Sequence, residues 1–147
     1  MRDHATMNDT TRAWALHCTS ELAHHISEAL ADLLPEDVRV LSAGLHIMLE
    51  KTPTGRVVSD FEVSAPADFD ATTAYYVLND LADQLSMYLH RAWPTNAGGT
   101  ALHAWAGEKD GEIELAFRGE GANADAAPIA LPSFPIPPRP EATVIVG

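Results

Sequence analysis

The sequence predicts an α+β domain with the element order α-β-β-α-β-β. Two stretches carry apolar residues at steps of three and four, which is typical of helices, and two regions carry alternating apolar residues, which is typical of strands. Turn residues separate the alternating runs, so each region is expected to form an antiparallel hairpin. The simplest packing has two layers, with one four-stranded antiparallel sheet and both helices on one face. With 147 residues, the chain is long enough for one hydrophobic core and too short to expect two.

A first helix is predicted to follow a polar, aperiodic stretch. We expect residues 1–11 to form a flexible leader that ends in a helix cap at Thr10 or Thr11. Pro35 ends the helix, because proline cannot continue one. Between Trp14 and Leu34, apolar residues at steps of three and four form the predicted buried stripe: Cys18, Leu22, Ile26, Ala29, Leu30 and Leu33.

Two strands are predicted between the helices. Apolar and polar residues alternate from Val38 to Leu49, and the alternation returns from Val57 to Val63. The segment between them, KTPTG at 51–55, consists of turn residues. We therefore expect residues 38–49 and 57–63 to pair as one hairpin.

A second helix and a second hairpin follow. The helix is predicted to run from a cap at Asp70 to about Trp93. Two short apolar runs then flank Asp110 and Gly111, a pair that favours a tight hairpin turn. The predicted buried stripe of this helix consists of Ala74, Leu78, Leu81, Leu85, Leu89 and Ala92.

The composition changes after Arg118. Six of the ten prolines lie in residues 119–140, too many for a helix or an interior strand. We therefore expect a single α+β domain over 12–118 and a proline-rich extended tail over 119–147, which ends in a short apolar, strand-like segment, TVIVG.

The tail carries a candidate recognition motif, PIPPRP at 135–140. Its proline spacing suits the aromatic grooves that bind polyproline II segments, and an adjacent arginine often sets the orientation. Pro135, Pro137, Pro138 and Arg139 are therefore candidate partner-binding residues. A proline-rich linker that holds TVIVG away from the domain is the alternative.

Charge and composition exclude several classes of function. Nine basic and 21 acidic residues give a formal net charge of −12, and the basic residues are scattered, so neither nucleic acid nor an anionic membrane is expected as a partner. Cys18 is the only cysteine, which excludes an intramolecular disulfide and a cysteine-based zinc cage. No apolar run approaches the ~20 residues of a membrane span. We expect a soluble, cytoplasmic protein with a basic protein or a cation as partner.

The segment 17–28, HCTSELAHHISE, contains candidate metal ligands. On a helix, His17, Glu21, His24 and Glu28 fall within roughly 60° of one another, opposite the apolar stripe. Histidine and glutamate at this spacing can bind zinc or iron. The alternative is a solvated face with weak i, i+4 pairs, which the absence of a matching ligand set on the second helix favours.

The second helix carries a different candidate surface. Tyr76 and Met87 lie away from its leucine stripe, in line with Asp80 and Asp83. Apolar groups bordered by carboxylates often mark a contact with a basic partner. Single exposed apolar residues are also common, and that alternative stays open.

The order helix, hairpin, helix, Gly-Gly and hairpin resembles two families. One is the small acidic secretion chaperones, which are dimers that bind an extended client; a proline tail here replaces their last helix. The other is the ATP-binding domain of histidine kinases and anti-sigma kinases, whose order residues 77–121 follow. Asp80 and Gln84 stand where its two asparagines are expected, and FRGEG at 117–121 lacks its adenine-reading aspartate, so the resemblance implies a degenerate nucleotide-binding domain.

No Walker or Rossmann phosphate loop, nucleophile elbow or HExxH motif occurs in the sequence. We therefore expect a non-enzymatic, acidic protein-interaction module without a cofactor. Such a chaperone, adaptor or neutralising partner would bind a basic or extended protein segment and form a homodimer. The alternatives are a small metal- or ligand-dependent enzyme that uses the histidine and glutamate face, and the degenerate nucleotide-binding domain.

Overall fold

A computed structural model describes residues 2–64 and 66–140, with side chains from residue 9 onward. The described residues form two α-helices, six β-strands and two 3-10 turns, at 31–33 and 121–123. The terminal segment TVIVG lies outside the described residues. In chain order the helices and strands are α1 (Arg2–Ala29), β1 (Val38–Ala43), β2 (His46–Lys51), β3 (Arg56–Glu62), α2 (Ala71–Leu89), β4 (His103–Lys109), β5 (Glu112–Arg118) and β6 (Ile129–Pro135).

The α+β class is confirmed, but the single four-stranded sheet is wrong. The described strands form two antiparallel sheets of three strands, in the orders β1-β2-β3 and β4-β5-β6. The difference has two sources: the strand predicted over 38–49 is two strands, and the proline-rich tail supplies a sixth. Helix α1 packs mainly on β1 and α2 on β4, while the two helices also contact each other.

The turn between β1 and β2 lies at Gly44, whose backbone has a φ of +61°. Glycine adopts this left-handed conformation without the penalty that a side chain imposes. The register places Val40 opposite Leu49, so the buried positions change from even numbers in β1 to odd numbers in β2. Val38 therefore shares the core with Ile47, although their positions differ in parity.

Strand β6 pairs with β5, so the domain continues past Arg118 to at least Pro135. A register shift between Ile113 and Leu115 accommodates one extra residue of β6. This bulge lets Leu131 and Phe134 both face the core although they are three positions apart. The strand tolerates its prolines because it lies at the sheet edge, where a missing N–H removes no bond to a further strand.

Helix α1 includes most of the segment predicted to be a leader, because it begins at Arg2. It ends at Ala29, and the 3-10 turn at 31–33 carries the chain toward Pro35. Cys18, Leu22 and Ile26 of the predicted stripe are fully buried. The buried surface therefore follows the apolar period, whereas both ends of the helix differ from the prediction.

Helix α2 confirms the predicted cap. The Asp70 carboxylate accepts hydrogen bonds from the backbone amides of Thr72 and Thr73, at 3.0 and 3.2 Å. The helix ends at Leu89, earlier than predicted, because His90 adopts a left-handed backbone with φ +56°. The predicted hairpin at Asp110 and Gly111 is also confirmed, and both residues have positive φ.

Candidate functional site

The outer face of α2 carries a row of apolar and acidic side chains. Tyr76, Asp80, Asp83 and Met87 follow the spacing i, i+4, i+7, i+11, which aligns them along one side of a helix. Tyr76 is 58% exposed and Met87 is 63% exposed. The opposite side of the helix is buried, so this row is defined as the α2 surface.

Asp80 occupies a partly desolvated position on the α2 surface. Burial raises the pKa of its carboxyl above the usual 3.8, and the neighbouring Asp83 carboxylate raises it further. Asp80 and Tyr76 line a groove of about 270 Å³ together with Val63 and Pro66. The groove places an acid group beside mainly apolar walls, where its attraction to a partner cation is screened less than in open water.

A second recess adjoins this groove. Pro66 also borders an open, mainly apolar depression of about 450 Å³, whose walls include Ala13 and Leu16 of α1. Leu16 is 44% exposed. The shared Pro66 makes the two depressions neighbours, so exposed apolar side chains from both helices lie along one stretch of the surface.

The histidine and glutamate face of α1 is exposed at all four predicted positions. His24 and Glu28 approach to 3.3 Å, an i, i+4 contact. Within residues 9–64 and 66–140, no three histidine, cysteine, aspartate or glutamate side chains converge as metal ligands. In the described residues, this face is exposed to solvent and contains one His24–Glu28 pair.

His25, the remaining histidine of that segment, faces the tail. Its Nε2 lies 2.8 Å from the carbonyl oxygen of Pro132, and its ring meets Phe134 edge-on at 5.4 Å. The Phe134 ring in turn lies 5.9 Å from the Phe69 ring. His25 therefore helps to fix β6 on α1.

The proline motif at 135–140 folds back onto the same helix. The indole Nε1 of Trp14 donates a hydrogen bond to the carbonyl of Pro137 at 3.2 Å. Arg139 places its guanidinium carbon 4.3 Å from the centre of the Trp14 ring, and its Nη2 lies 3.0 Å from Asp68 Oδ1. Pro135 ends β6, and Pro138 is exposed.

Sequence reasoning missed three residues that hold the tail: Trp14, His25 and Asp68. Trp14 marks the start of the apolar periodicity, and Asp68 lies in a segment without a pattern. A signal was present in the tail, where Leu131, Phe134 and Ile136 are too apolar for a freely solvated linker. Apolar residues in a proline-rich segment indicate an edge strand or a docked segment.

Cys18 is not a suitable nucleophile. Its side chain is fully buried, and burial raises the pKa of its thiol to about 11. The positive charge of Arg139 lowers this pKa and the negative charge of Asp68 raises it, both by less than burial does. At neutral pH the thiol is therefore protonated, and Cys18 packs in the core as a residue of the predicted buried stripe.

Comparison of the chain with known protein families, with curated proteins and with solved structures finds no match. Neither α1 nor α2, the α-helices within residues 2–64 and 66–140, has the length and apolar character needed to cross a bilayer.

Proposed function

We propose that this chain is a non-enzymatic protein-interaction module whose α2 surface binds a basic segment of another protein. The observation that carries the proposal is the exposure of Tyr76 and Met87 in line with two carboxylates. Large apolar side chains at the surface lose unfavourable contact with water when a partner covers them. A helix face with i, i+4, i+7, i+11 anchors suits a segment that lies along the helix.

The charges specify the chemistry of the partner. No ion pair within the described residues involves Asp80 or Asp83, so both carboxylates can pair with lysine or arginine from outside. The net charge of −12 adds a long-range attraction for cationic segments and a repulsion for acidic ones. Apolar contact supplies the affinity, and the charges supply the association rate and the selectivity.

Site-specific photo-crosslinking tests the proposal in the native host. A photoreactive phenylalanine analogue replaces Tyr76 or Met87 in one pair of strains, and Val57 in a control strain. Val57 is a matched control because it is 45% exposed and lies on β3 instead of α2. The proposal requires a protein adduct at both α2 positions that is absent at Val57. Equal adducts at all three positions contradict it.

Charge variants of the same strains separate a basic partner from a merely apolar one. Asp80→Lys with Asp83→Lys is expected to abolish the adduct at Tyr76, because like charges then face the partner's cations. Glu112→Lys with Glu114→Lys makes the same change in charge on β5 and is expected to preserve it. The homodimer expected from the sequence belongs to the same proposal, and light scattering on the purified chain measures it.

A further inference from the structure

Residues 137–139, near the end of the described chain, are bound to the domain through three contacts. A backbone carbonyl, that of Pro137, accepts from the Trp14 indole N–H; the Arg139 guanidinium lies over the Trp14 ring; and the same guanidinium contacts the Asp68 carboxylate. Phe69 supports the Trp14 ring edge-on at 6.1 Å. These contacts define the Trp14 site, which consists of Trp14, Asp68 and Phe69.

The Trp14 site matches the chemistry of an extended proline–arginine segment. Such a segment has no internal hydrogen bonds, so its carbonyls are available to a donor such as an indole N–H. An aromatic face attracts the guanidinium, and a carboxylate beside the ring pairs with it. The indole N–H therefore recognises the Pro137 carbonyl, and the Trp14 ring and the Asp68 carboxylate both recognise the Arg139 guanidinium.

The bound segment is held in a way that permits exchange. The side chains of Arg139 and Asp68 are 56% and 55% exposed, so their ion pair forms in contact with water. After β6, residues 136–140 are held by the hydrogen bond from the Ile136 N–H to the Gly111 carbonyl, by the hydrogen bond from Trp14 to the Pro137 carbonyl and by the ion pair of Arg139. Residues 137–139 can therefore leave the site while β6 stays paired.

We propose that the Trp14 site is a recognition site for proline–arginine segments, that residues 137–139 occupy it as an intramolecular ligand, and that such a segment of another protein competes with them. The site is formed by α1 and the loop before α2, and none of its three residues belongs to the row of Tyr76, Asp80, Asp83 and Met87. The proposal therefore stands or falls independently of the basic partner of the α2 surface.

The test uses the full chain and a capped peptide with the sequence of residues 135–140, PIPPRP. The peptide is titrated into ¹⁵N-labelled protein, and the indole N–H signal of Trp14, assigned with Trp14→Phe, reports occupancy. Arg139→Ala weakens the tail in its own site, so the peptide is expected to bind this variant more tightly than wild type, by about 3- to 30-fold. Arg118→Ala is the matched control, since it removes an arginine that lies 3.6 Å above the Trp105 ring; its affinity should equal that of wild type.

Two further measurements identify the recognised features. Adding Asp68→Asn to Arg139→Ala is expected to weaken peptide binding, as is a peptide in which alanine replaces the arginine. Asp68 and Arg139 both have exposed side chains, so the doubly substituted protein should keep its fold, and circular dichroism checks this. The proposal is overturned if wild type and Arg139→Ala bind the peptide equally, if millimolar peptide leaves the Trp14 signal of Arg139→Ala unmoved, or if neither the Asp68 change nor the altered peptide weakens binding.

Discussion

Phe134→Ala tests whether the proline-rich segment is part of the folded domain. Phe134 is 5% exposed and its ring meets those of Phe69 and His25. Replacing a buried phenylalanine by alanine usually costs about 3–5 kcal/mol of stability, through lost burial and the cavity left behind. Because β6 is an edge strand and an open groove adjoins Phe134, the site can relax and admit water. We therefore expect the lower end of that range, about 3 kcal/mol.

Urea unfolding followed by far-ultraviolet circular dichroism measures this loss. For a chain of this size, about 3 kcal/mol corresponds to a fall in Tm of roughly 6–12 °C. Ser133→Ala is the control, since Ser133 is an exposed neighbour on the same strand, and its effect should stay within about 0.5 kcal/mol. Phe134→Leu keeps much of the apolar volume and should fall between the two.

The refuting result is a Phe134→Ala protein as stable as Ser133→Ala. A phenylalanine in a solvated tail contributes nothing to the free energy of unfolding, so equal stabilities would mean that β6 does not belong to the core. If Phe134→Ala is destabilised as expected, the slope of its unfolding free energy against urea should equal that of wild type, because nearly the same surface is exposed on unfolding.

Three further predictions follow from single sites. Asp70→Ala removes the acceptor for the first amides of α2, and thermal unfolding should show a loss of about 1 kcal/mol, against a few tenths for Asp70→Gly. Asp80→Asn should raise Tm at pH 7, because the raised pKa of Asp80 means that its ionised form destabilises the folded state. The gain in Tm should disappear as the pH falls below 3.8, where the carboxyl is protonated in both the folded and the unfolded state. A gain that persists there would contradict this reasoning. His24→Ala should leave Tm in the presence of zinc unchanged, because the described residues add no third ligand to His24 and Glu28; elemental analysis of protein made without a histidine tag checks the bound metal.

The helices were predictable because their apolar period extends over many residues, whereas the first sheet depends on one turn. Alternation through Gly44 looks continuous, since a turn of two residues, Gly44 and Leu45, does not interrupt the sequence of apolar and polar positions. Only the change of the buried parity, from Val40 to Ile47, distinguishes two strands from one. Both parities carry apolar residues in this region, so composition alone could not reveal the change.

The tail was mispredicted because a count of prolines ignores their positions. Proline disrupts a strand when its missing N–H leaves a neighbouring strand without a bond, and an edge strand has such a neighbour on one side only. In β6, Pro132 lies at the bulge and Pro135 at the end of the strand. The apolar residues Ile129, Leu131 and Phe134 therefore remain free to pack on the core.

The width of the buried face of α1 explains why the candidate metal ligands share one exposed side of the helix. The sequence assigns burial to an apolar stripe, yet Thr19 and Ser27 are also buried. Their hydroxyls donate to the carbonyls of Ala15 and Ala23 one turn earlier, at 2.7 and 2.8 Å, so neither is left unsatisfied. The buried face of α1 is therefore wider than the apolar stripe in its sequence indicates.

On this part of α1, a narrow strip stays open to water, and the four candidate ligands His17, Glu21, His24 and Glu28 lie on it. Their shared face therefore follows from exclusion by the core and does not require selection for a metal. His25, at the border of the strip, shows the contrast, since it contacts the carbonyl of Pro132. Among the histidines of this segment, His25 has a specific structural role because the tail packs against it.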